Sequence, residues 1–248
     1  MNEYSEKGLT IKYKVRVSPR ARHAYLKLLE DGTVEAILPK RMSRRHVPDM
    51  LGANQAWILD MQQQLRLKQE KNPVRYEQFP QKIRLCAIGE SWEVRYINPE
   101  LEPGPNIRYC EINDGLFPQL VVYENNEQKV RTVLQAWLRK KALKSLVPRF
   151  ARVSEKIQIS YNKVSIRAQK SRWGSCSRTA NISLNMALLF LPPELLNYVF
   201  IHELCHTRHM NHSSEYWALV ESFEPDYKRL DRELNRQSER VPLWIHKT

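Results

Sequence analysis

The sequence predicts an α+β fold: a β-rich N-terminal region, then a domain in which one buried helix packs on a small antiparallel sheet. Three observations predict it. Short alternating apolar runs bounded by turn residues occupy the first part of the chain. The segment opened by Pro192-Pro193 is apolar nearly all round, as a buried helix is. Two strand-like runs, Val164 to Ala168 and Ile182 to Met186, stand just ahead of that helix.

The elements follow in order. Ile11, Tyr13, Val15 and Val17 alternate as one strand. Ala24 to Leu29 and Thr33 to Leu38 form a hairpin across Asp31-Gly32. A helix fits Ser43 to Gln69, with Ser43 as N-cap and Pro48 and Gly52 disturbing its first turns. Ile83 to Cys86, Trp92 to Ile97 and Leu120 to Tyr123 read as short strands, and the proline-rich stretch 98–106 as a loop. A second long helix fits Glu127 to Arg152, kinked or shortened by Pro148. Further helices fit Ser214 to Phe223 and Pro225 to Arg236. No internal repeat or low-complexity tract is evident. The chain divides into 1–125, the β-rich region with one helix, and 126–248, the domain carrying the buried helix.

Composition narrows the function classes. At 248 residues, 42% hydrophobic and 27% charged, the chain is an ordinary globular protein. No run of eighteen apolar residues exists to span a membrane, and the N-terminus lacks a signal-peptide pattern, so the expected location is cytoplasmic. There Cys86, Cys110, Cys176 and Cys205, which form no CxxC pair, stay reduced. The net charge is +13, and between Gln128 and Pro193 fourteen basic residues face the single acid Glu155. Such a block suits an anionic partner such as nucleic acid, or simply a solvated surface.

The chemistry sits in His202-Glu-Leu-Cys-His206. Two histidines four apart on a helix leave the same face one turn apart, the spacing that supplies two corners of a zinc tetrahedron. Glu203 projects about 100° around the axis, within reach of the metal's water without being a ligand, where it serves as general base. A buried helix has little reason to carry three such residues unless something satisfies them. A catalytic zinc needs a third protein ligand. His209, at i+7, shares the helix face but sits too far along the axis to close a tetrahedron well. His212 lies beyond Asn211, a residue that tolerates a helix-ending conformation, so the chain can return it to the metal. His212 is therefore favoured, with Glu221 and Glu224 as carboxylate alternatives.

Taken together, SRWGSCS (171–177), ISLN (182–185) and HELCHTRHMNHSSEYW (202–217) resemble the YgjP-like metallopeptidases, relatives of the SprT-like zincins. The resemblance implies a zincin-like catalytic domain over 126–248, with Zn2+ on His202, His206 and His212 and Glu203 as base. The HExxH-plus-six spacing also matches metzincins, but those enzymes have glycine where this chain has His209, and no later methionine supplies a Met-turn. By analogy with zincins, Ile182 to Met186 is the edge strand that pairs with an extended peptide. Trp173 is expected to pack, Ser175 and Asn185 have no assigned role, and Tyr216 either packs or donates to an oxyanion. The expected activity is peptide-bond hydrolysis by a metal-activated water, with a peptide or protein as substrate. The alternatives are a nucleic-acid-associated protein, its metal structural or its proteolysis linked to DNA as among SprT-like relatives, and hydrolysis of a non-peptide amide.

Overall fold

Two four-stranded sheets of identical topology organise the first half of the chain. In the first, β1 (Asn2–Glu6), β2 (Leu9–Ser18), β3 (Tyr25–Leu28) and β4 (Val34–Pro39) lie in the order β1-β2-β4-β3. Its outer pairs are antiparallel, and β2 runs parallel to β4. In the second, β5 (Lys82–Leu85), β6 (Glu90–Ile97), β7 (Tyr109–Ile112) and β8 (Gln119–Tyr123) lie in the order β5-β6-β8-β7, with β6 parallel to β8. Both lead into helices that carry Gln-Ala-Trp, at 55–57 and 135–137, and both have Asp-Gly between the third and fourth strands. This internal repeat corrects the expectation that none exists.

The computed structural model describes residues 2–6, 9–77, 79–102, 107–113, 118–237, 239 and 241–245. Its contacts divide the chain into Met1–Pro73 and Val74–Thr248. The division expected at 125/126 falls inside the second unit, where β5, β6 and β8 share one apolar core with the following helix. Of the expected loop 98–106, residues 103–106 lie outside the described residues.

In the N-terminal unit, Ile11, Val34, Ala36 and Leu38 of the sheet meet Val47, Leu51 and Ile58 of two helices, α1 (Val47–Ala53) and α2 (Gln55–Lys71). The single helix predicted for 43–69 is thus broken. A 3-10 turn at Arg44–His46, with Arg45 N donating to Ser43 Oγ, precedes α1, where Pro48 occupies the first turn and needs no helical donor. Asn54 separates α1 from α2, and α3 (Pro73–Tyr76) follows.

In the C-terminal unit, α4 (Glu127–Ile157) starts at Asn126, whose side chain accepts from Gln128 N and Lys129 N. It continues through Pro148, whose cost of about 3 kcal/mol is offset by burial of the neighbouring Leu146 and Phe150. A three-stranded sheet follows, built from β9 (Lys163–Arg167), β10 (Gly174–Cys176) and β11 (Asn181–Asn185) in the order β10-β11-β9. This sheet is mixed rather than antiparallel: β11 turns back on β10 but lies parallel to β9. Helices α5 (Pro193–Cys205), α6 (Ser214–Phe223) and α7 (Tyr227–Gln237) complete the unit, and α5 packs against α4, α6, α7 and β10. Among the described residues no helix is long and apolar enough to cross a membrane.

Candidate metal centre

Helix α5 ends at Cys205 rather than near Asn211, with His206 as its C-cap. The chain then tightens into a turn, Thr207 N donating to Leu204 O and Arg208 N to Cys205 O. A side chain closes it: His206 Nδ1 lies 3.0 Å from the His209 carbonyl. That carbonyl can only accept, so Nδ1 carries the proton and Nε2 is left with its lone pair.

The turn brings His212 back to the end of α5. His206 Nε2 lies 3.2 Å and His212 Nε2 3.4 Å from His202 Nε2. Nitrogens bound to one tetrahedral zinc at about 2.0–2.1 Å stand about 3.3 Å apart, so the donor set fits that ion. Among the described residues these three histidines form the one group able to hold a metal; His209, Glu221, Glu224 and the cysteines are not part of it. His209 contributes its carbonyl instead of its ring.

Burial sets the protonation states. It pushes the His202 imidazole down to about 3, helped by the charges of His206 and His212. His206 is also lowered, chiefly by burial, against the opposing hydrogen bond to His209. Neutral imidazoles are the form that binds a metal. Glu203 is 5% exposed, and burial pushes its carboxyl up to about 8 while Arg172 pulls it down. Glu203 Oε2 and His202 Nδ1 are buried without a hydrogen-bond partner among the described residues. Burial also raises the Cys176 thiol to about 11 and the Cys205 thiol to about 12, which keeps both protonated.

Helix α6 braces the histidines. The Tyr216 ring stacks on His206 at 4.5 Å, and its hydroxyl donates to the His202 carbonyl at 3.1 Å. Tyr216 is fully buried and its proton is committed to that carbonyl, so it packs rather than serving an oxyanion. Trp217 stacks on His212 at 5.4 Å and on Tyr227 at 5.2 Å.

Residues 22–237 match the family described as YgjP-like, metallopeptidase domain. The chain belongs to the YgjP-like metallopeptidase family. Among solved structures, it is similar to the metallopeptidase zymogen abylysin of Pyrococcus abyssi, at 26% identity over 38% of this chain and 95% of that one, with a TM-score of 0.33. It is also similar to the zymogen jannalysin of Methanocaldococcus jannaschii, at 20% identity over 36% and 91% of the two chains, with a TM-score of 0.31. No curated protein matches it.

The RWGSC segment forms one wall of a cleft of about 410 Å3, opposite the histidines. Gly174 has a steric reason to be glycine: a Cβ there would lie 2.5 Å from Glu203 Oε1 and 2.7 Å from its Cδ and Cγ. The free edge beside the histidines is not the strand expected from the sequence. Strand β11 is the centre of its sheet and has no free edge, whereas β10 is an edge strand. Trp173 O accepts from Asn185 N and Ser177 N donates to Asn181 O, both at 2.9 Å, so the backbone groups of Gly174 and Cys176 face away from β11.

Asn185 holds this wall in place. Its Nδ2 donates to the carbonyls of Gln169 and Arg172, both at 2.8 Å, and its Oδ1 accepts from Ala187 N at 3.0 Å. Asn185→Ala leaves these groups unsatisfied and should cost about 2–4 kcal/mol, read as a lower urea midpoint. A change below about 0.5 kcal/mol would contradict the role.

The basic block is less open to a partner than its composition suggests. Lys129 pairs with Glu124, Arg131 with Glu127, and Lys141 with Glu90 and Glu111, while Arg149 donates to the Ala87 carbonyl.

Proposed function

We propose that the protein is a zinc-dependent metallopeptidase hydrolysing peptide bonds with a metal-activated water. His202, His206 and His212 would hold the ion, and Glu203 would act as general base and then acid. The observation that carries the reading is the convergence of three imidazole Nε2 atoms beside a buried carboxyl. Zinc bound there would supply Lewis acidity and lower the pKa of a water. Glu203 takes the proton on its unpartnered Oε2 and returns it to the departing amine nitrogen. A carboxyl raised by burial is suited to holding that proton between the two steps. The outward backbone groups of Gly174 and Cys176 offer an extended peptide strand-like hydrogen bonds. Arg172, on the cleft wall, is placed to meet negative charge on the substrate. We place the protein in the cytoplasm, where its four unpaired cysteines stay reduced.

The test is incubation of the zinc-loaded protein with an unfolded protein and a peptide mixture, with cleavage sites located by mass spectrometry. Cleavage abolished by a chelator and restored by zinc supports the reading. Absence of peptide cleavage, with turnover of simple non-peptide amides, would replace it with the other hydrolase class.

Gly174→Ala tests the cleft wall. The added methyl must displace the Glu203 side chain, so turnover should fall at least about 10-fold with zinc content unchanged. Wild-type turnover in this variant would show that Glu203 has room to spare.

A further inference from the structure

The parallel pairing of β2 with β4 has a consequence for charge. Its last register pair, Ser18 with Pro39, puts the segments that leave both strands at the same end of the N-terminal sheet. The first segment brings Arg20 and Arg22, the second Lys40, Arg41, Arg44 and Arg45. All six are exposed, and none has a carboxylate partner among the described residues. Neither 18–23 nor 39–48 contains an acid; Asp49 follows directly and shares a surface depression with Arg41 and Arg45, leaving the cations in excess.

The repeat provides an internal control. In the second sheet the matching register pair is Ile97 with Tyr123, and the segments that follow carry Glu100, Glu102, Glu124 and Glu127. The same topology therefore folds with acids at this end, and the arginines of the first copy are not required by the fold.

The sheet face turned away from α1 and α2 continues the pattern. Lys12, Lys14, Arg16, Tyr25 and Lys27 alternate with the core-facing residues and are exposed, and Tyr25 is 50% exposed. Of the carboxylates on this face, Glu35 is taken up by Arg16 at 3.3 Å, and Glu3 stands opposite Lys12.

We propose that this end and face of the N-terminal sheet bind single-stranded nucleic acid, the arginines on the phosphodiester backbone and Tyr25 under an unstacked base. Arginine's planar fork matches phosphate bidentately. Tyr25 lies over the buried Ile37 opposite it and keeps half its surface exposed, and an exposed aromatic among cations on a sheet face is the arrangement that stacks bases without reading sequence. An acidic peptide without rings would use the cations but offer no base for Tyr25 to stack on. The site is independent of the peptidase reading.

The test is fluorescence anisotropy of the full chain with a labelled oligouridine and an oligothymidine across a series of salt concentrations. Binding should weaken with salt, with a slope of about −0.7 per phosphate contacted. The triple variant Arg41→Glu/Arg44→Glu/Arg45→Glu should bind at least about 10-fold more weakly with a shallower slope. Tyr25→Ala should lose about 5-fold or more with the slope retained. These residues are exposed, and unchanged thermal melting would verify folding of the variants. Wild-type affinity in the triple variant, no binding at low salt, or equal affinity for polyglutamate with no effect of Tyr25→Ala would each overturn the proposal.

Discussion

The wild-type protein is expected to bind zinc and the His212→Ala protein to lose it, while His209→Ala and Glu221→Ala bind it as the wild type does. His212 is the member of the histidine group that lies outside α5 and its capping turn, and its Nε2 reaches His202 Nε2 at 3.4 Å. Its loss leaves two nitrogens, too few to retain a catalytic zinc against competition. Zinc affinity should fall at least about 100-fold, measured by chelator competition with metal content read by mass spectrometry. Because Trp217 stacks on the His212 ring, His212→Phe is the companion variant: it keeps an aromatic ring there and removes the donor. Stoichiometric zinc in both variants would place the third ligand elsewhere.

Glu203→Gln is expected to keep its zinc and lose turnover by about 10²–10⁴-fold. The amide has nearly the shape of the carboxyl, so it still fits against Gly174, but it cannot accept the proton. The same variant should melt no lower than the wild type, since a neutral group replaces one whose charge burial disfavours. Wild-type turnover would remove Glu203 from the mechanism.

The site was legible where local periodicity governs it. His202 and His206 share a face because they are four apart on a helix, and no tertiary information is needed to see it. The placement of His212 depends on the turn after Cys205, which a side-chain-to-carbonyl bond from His206 closes and hydrophobic pattern does not encode. Strand β10 was missed because three residues including a glycine carry no alternation, and with it went the identity of the free edge. Strand β1 was missed for a related reason: an exposed edge strand has no apolar face to reveal it. The repeat left traces in the sequence, since Asp31-Gly32 precedes Gln55 as Asp114-Gly115 precedes Gln135. Those spacings are unequal, 24 residues in the first copy and 21 in the second, and the two tryptophans have diverged, Trp137 fully buried and Trp57 39% exposed. Only the shared strand order makes the relation plain.

The most direct test of the three-histidine centre is X-ray absorption at the zinc edge of the loaded wild-type protein. Three imidazole nitrogens and one further light donor are predicted at about 2.0–2.1 Å, with no sulfur. A sulfur at about 2.3 Å, or fewer than three imidazoles, would contradict a centre built on His202, His206 and His212.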